Sequence, residues 1–116
     1  MKLKALLLAA GFALLAASGL EARASGDTFS ISADQWALPR SGAALLKLAP
    51  LRAAVEDWIA HPDARIVVVH AGSDVGNLWA GELADWLVAL GVPSDHLEKR
   101  VSADQGEDSI SLRVED

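Results

Sequence analysis

Residues 65–74 read RIVVVHAGSD, and the organisation of the chain follows from them. Four β-favouring apolar residues run into a small, polar, glycine-bearing corner. A run that is apolar on both faces predicts a central strand covered on both sides. The corner predicts a strand-to-helix turn. Asp74 is the expected cap of the following helix, with Ser73 as the alternative cap. Gly72 and Gly76 are expected to let the chain turn tightly there.

Downstream, Val75, Leu78, Trp79, Leu83, Trp86, Leu87 and Leu90 recur at helical spacing and predict a helix from about Asp74 to Leu90. Asn77, Glu82 and Asp85 fall on its other side. Gly91 is a natural C′ residue, with Pro93 soon after. HLEKRVSA at 96–103 predicts a third strand. DSISLRVE at 108–115 alternates Ile110, Leu112 and Val114, as a half-exposed strand does.

Upstream, DTFSIS at 27–32 places Phe29 and Ile31 on one face of a short strand. ADQWALPR at 33–40 reads as a connector ending in a Pro-bearing turn. Ser41 is a plausible N-cap for a stripe of Leu45, Leu48, Leu51, Val55, Trp58 and Ile59. Pro50 interrupts that stripe. Either it kinks one helix, or a short first turn ends near Leu48 and the main helix starts at Pro50. HPDA at 61–64 stops it. The expected fold is therefore α/β (α+β): a small mixed β-sheet in βαβαββ order with two helices packed on one face.

The full chain has 116 residues, 16 acidic and 10 basic side chains, and no cysteine. Its first 24 residues have the layout of a secretory signal peptide. Lys2 and Lys4 precede an uncharged, Leu/Ala-rich run from Ala5 to Leu20, and ARA at 22–24 offers a cleavage pattern. The apolar run is shorter than the roughly 20 residues of a membrane-spanning helix. Residues 25–116 are expected to form a single domain, exported to the periplasm, with no transmembrane segment after cleavage. Removing residues 1–24 takes away three basic groups and one acidic group. That leaves 92 residues of net charge −8, a balance that repels nucleic acid and anionic membranes and tolerates a cationic partner.

No phosphate-loop or dinucleotide motif is present, so no cofactor is expected. His61, His70 and His96 lack metal-ligand spacing, and His61 and His96 are expected to face solvent at element edges. His70, Ser73 and Asp74 are a conceivable hydrolase set. They come from one segment, however, where a triad converges from several, and the nucleophile elbow is absent. No catalytic activity is expected.

LPRSG, HPDARIVVV and LVALGVPSDHL, spanning roughly residues 36 to 100, resemble the OmpA C-terminal-like domain, whose members bind peptidoglycan in the bacterial periplasm. The resemblance implies that Asp74 stands for the family's binding aspartate, with Ser73 and Asn77 beside it as ligand-binding residues. It also implies an outer-membrane or peptidoglycan setting. The chain departs from the family's signature here: AGSD at 71–74 stands for Gly-His-Thr-Asp with Asp74 shifted by one residue, the loop after it has largely gone, and Trp79 and Ala80 occupy the place of Arg-Ala. A tryptophan cannot supply the two-pronged grip of a guanidinium on a carboxylate. Arg40, Arg52, Arg65 and Arg100 are the candidates to replace it, with Arg65 expected at the far end of its strand from Asp74. Trp36 and Trp79 form a possible aromatic contact surface for a sugar or partner protein. The implied partners are peptidoglycan or another cell-envelope protein. The expected function is a non-enzymatic envelope interaction module with a degenerate peptidoglycan site. The alternatives are a functional peptidoglycan or muropeptide binder and, more remotely, a small periplasmic hydrolase.

Overall fold

A computed structural model describes residues 26–38 and 40–116. The signal-peptide reading of residues 1–24 and the position of Pro39 lie outside the described residues. Strand β1 (Thr28–Ser32) leads directly into a one-turn helix, α1 (Ala33–Trp36). A second short helix, α2 (Gly42–Leu46), precedes α3 (Ala49–Ala60). Strand β2 (Arg65–His70), the long helix α4 (Asp74–Ala89), a 3₁₀ turn (Ser94–His96), β3 (Leu97–Val101) and β4 (Ser109–Glu115) complete the order.

The four strands form one mixed sheet in the order β1-β4-β2-β3. β4 is antiparallel to both β1 and β2, and β2 is parallel to β3. The expected βαβαββ order and the mixed sheet are therefore present, with α1 and α2 as additions. Ile31, Ile110, Leu112, Val114, Ile66 and Val68 share one face. They form a single core with Leu51, Ala54 and Val55 of α3 and Trp79, Ala80, Leu83 and Leu87 of α4. Both long helices thus cover the same side.

Three sequence expectations are corrected and one open alternative is decided. The connector at 33–40 begins with α1, stabilised by a reciprocal capping box. The Gln35 backbone N–H donates to Ser32 Oγ (3.1 Å), and the Ser32 N–H donates to Gln35 Oε1 (2.9 Å). Pro50 does not kink a continuous helix. It sits in the first turn of α3, where its missing N–H has no intrahelical acceptor to lose, as the second alternative held. β4 is not half exposed: it lies between β1 and β2, and Ser111 is buried along with its apolar residues. Ile59, Val75 and Leu78 leave their stripes and are largely exposed.

β2 is central, but its second cover is not a helical layer. Val67 faces away from the helices and is fully buried, flanked in register by Arg113 and Glu98. A run of ion pairs crosses this face: Arg65–Glu98 (3.6 Å), Arg100–Glu98, Arg100–Glu115 (3.1 Å) and Arg113–Glu115 (3.7 Å). Long side chains laid flat shield the apolar residue while their charged ends stay wet. Hydrogen bonds to Glu115 and then Glu98 raise the Arg100 guanidinium above its ordinary range. Charged side chains on β3, an edge strand, also discourage pairing with another sheet.

Two glycines have different reasons to be glycine. Gly91 has φ +111 and is the C′ residue of α4, as its position predicted. The Val92 N–H donates to the Leu87 carbonyl and the Gly91 N–H to that of Val88, both at 3.0 Å, which is a Schellman motif. Gly76 corrects the tight-turn expectation. It lies inside the first turns of α4, where an added Cβ would stand 2.2 Å from the Ala71 carbonyl oxygen. It is glycine because the helix crosses the end of β2 at contact distance.

His61 and His96 are tied in, contrary to expectation. The Nδ1 of His61 is 3.0 Å from the Asp57 carbonyl oxygen. Ala64 O receives both the Trp58 Nε1–H (3.0 Å) and His96 Nδ1 (2.9 Å), and the two rings meet edge to face. This pins the α3-to-β2 turn to the start of β3. Trp58 and Trp86 pack against the core from partly exposed positions.

Candidate functional site

The corner after β2 is built by Ser73. Its Oγ accepts the Gly76 N–H at 3.1 Å and it is the N-cap of α4, so Asp74 is not the cap. Asp74 is the first helical residue, exposed, where its charge opposes the positive helix end. Asn77 is exposed as well. Ser73→Ala should lower stability by about 1 kcal/mol through the lost cap. Asp74→Ala should lower it by less, about 0.5 kcal/mol. Denaturant midpoints measure both.

Among the described residues, no arginine completes a fork with Asp74. Arg40 pairs with Glu82 (3.5 Å) and Arg52 with Glu56 (3.7 Å), while Arg65 and Arg100 belong to the ion pairs of the open sheet face. Arg65 does lie at the opposite end of β2 from the corner. Arg113, missing from the sequence candidates, is on that same open face, its Nε without a hydrogen-bond acceptor. His70 is buried, with Nδ1 2.9 Å from the Ala71 carbonyl oxygen. That bond directs the ring to the backbone and not to Ser73.

The two tryptophans do converge. Trp36 and Trp79 are each 7% exposed, with centroids 6.1 Å apart and planes tilted by 31°. They belong to the core and also wall a cleft of about 280 Å³. One wall is Ala33, Trp36, Ala37 and Arg40. The other is Val75, Leu78, Trp79 and Glu82, one face of α4 at three- and four-residue steps. Glu107, from the β3–β4 loop, also lines it. That loop is held by Gln105, whose Nε2 donates to Ser109 O and Oγ, and α1 is pinned to it by Ala33 N–H donating to Asp108 O (2.8 Å). Asp74, Ser73 and Asn77 do not line the cleft.

Three features distinguish this cleft from ordinary surface. Val75 and Leu78 are 61% and 67% exposed, and they adjoin the tryptophans. The Trp79 indole N–H is buried with no hydrogen-bond partner among the described residues, a condition that costs about 1–3 kcal/mol. Arg40 caps the Trp36 ring, with Cζ 4.8 Å from its centroid and Nη1 donating to Trp36 O at 2.7 Å. Sequence reasoning named Trp36 and Trp79 but assigned Val75 and Leu78 to the core and Glu82 to the far side. The Ser32-x-x-Gln35 spacing was the available signal for α1, which forms the cleft's first wall.

Compared with models of protein families, with curated proteins and with solved structures, the chain finds no match. Among the described residues, no group of three or more side chains has the makings of a metal site, and no helix is long and apolar enough to cross a membrane.

Proposed function

We propose that this is an exported, non-enzymatic interaction module of the cell envelope with an OmpA-like fold, which binds a partner protein through the Trp36–Trp79 cleft. The observation that carries the reading is the cleft itself: two buried tryptophans beside two bare aliphatic side chains. Apolar concavities edged by a few polar groups are the usual form of a binding site, and aromatic anchors in such pockets supply most of the affinity. The resemblance of residues 36–100 to the peptidoglycan-binding family supports the envelope setting, and Trp79 in the place of that family's arginine supports a changed ligand.

A second reading, retained peptidoglycan binding, is favoured by one observation: the Asp74 carboxylate is exposed at the head of α4 and free of any ion pair among the described residues. Two experiments separate the readings. A photo-crosslinking residue at position 78 should give a discrete protein adduct in intact envelopes, while one at position 74 should not. Co-sedimentation of the protein with diaminopimelate-type sacculi should show no pelleting that free diaminopimelate competes away. Competed pelleting that Asp74→Ala abolishes, with no adduct at position 78, would replace the first reading by the second.

A further inference from the structure

The Trp36 ring already holds a cation, and that cation is the protein's own. Arg40 lies over it at 4.8 Å, with its second anchor, Glu82, at a loose 3.5 Å. Two carboxylates, Glu82 and Glu107, edge the cleft against this one guanidinium, and Glu107 has no ion pair among the described residues. The chain as a whole carries net charge −6. An anionic ligand would meet repulsion there. A sugar would need an open ring face, and both indoles are 93% covered.

Resting on the cleft reading above, we propose that the cleft receives a peptide segment of a partner protein bearing an arginine or lysine. The incoming cation displaces Arg40 from the Trp36 face and takes up Glu82 and Glu107. The neighbouring aliphatic side chain of the peptide covers Val75 and Leu78. Cation over indole is the strongest of the side-chain cation–π pairings, and the site is built to hold one. Arg40 is thus an internal competitor, which makes the sign of its removal diagnostic: affinity rises when a self-occupied state is abolished.

The test uses the protein expressed from its full-length gene and purified as it accumulates. Acetyl-Leu-Arg-Leu-amide is titrated while the Trp79 Nε1–H resonance and tryptophan fluorescence are followed. The same peptide with citrulline in place of arginine is the control. Saturable binding of the arginine peptide is expected, with the citrulline peptide weaker by about tenfold. Arg40→Ala and Arg40→Gln should both tighten it, by about three- to tenfold, and Glu82→Gln should weaken it by a similar factor. Weaker or unchanged binding in folded Arg40 variants overturns the proposal, and so does the absence of any shift with the arginine peptide. Equal binding of the citrulline peptide overturns the cation preference while leaving the cleft as a binding site. An adduct at position 78 reports on the cleft reading independently of all these outcomes.

Discussion

Gly76→Ala should be the most damaging single-methyl change in the domain. The added Cβ would lie 2.2 Å from the Ala71 carbonyl oxygen and 2.9 Å from its carbon. Both are backbone atoms, so no side chain can swing aside, and α4 must move off the end of β2. Alanine brings a helix-propensity gain of about 1 kcal/mol. The overpacking outweighs it, and a net loss of about 2–4 kcal/mol is expected. For a domain of this size the melting temperature should fall by roughly 10–25 °C. Gly81→Ala is the matched control. It sits in the same helix with nothing within 4 Å of its added Cβ, so the propensity gain stands alone. Its melting temperature should rise by a few degrees. A Gly76→Ala protein as stable as the parent would mean that α4 does not press on the β2 corner as described.

The second large effect concerns Trp79. Trp79→Ala removes a ring that packs on Trp36 and on the core, and about 3–5 kcal/mol of stability should go with it. Trp79→Phe keeps most of the packing and deletes an indole N–H that has no acceptor among the described residues. The relief of that orphan donor offsets part of the lost volume, and a cost of about 1 kcal/mol or less is expected. Chemical denaturation of the three proteins measures the contrast. A large loss in Trp79→Phe would mean that the N–H is satisfied in solution, by water or by a shift of the Arg40 segment.

These residues also mark where sequence reading succeeds and fails. The shared face of Phe29 and Ile31 in β1 and of Ile110, Leu112 and Val114 in β4, the Leu83 and Leu87 stripe of α4, the Ser41 cap and the Gly91 terminus were legible because each depends on neighbours within a turn or a strand. Val75 and Leu78 were misassigned for the opposite reason. An apolar stripe at helical spacing says which side of a helix is greasy, but the width of its cover depends on what the rest of the chain places against it. Here α1 stops short of them, which leaves a cleft where a wider layer would have made core. Gly76 illustrates the same limit: a glycine demanded by close approach looks the same in sequence as one demanded by a turn. Glu82 reached the cleft because that face extends to the helix's polar flank, where Arg40, from a separate segment, meets it.

The sheet order has a consequence in time. Of the four described strands β4 is made after the others, yet it is the strand to which both β1 and β2 are joined. Until it emerges, β2 and β3 can pair with each other, but β1 has no strand beside it and the gap between β1 and β2 stays open. The four-stranded sheet is therefore completed only when β4 arrives, and β1, made first, is the strand that waits longest for its partner.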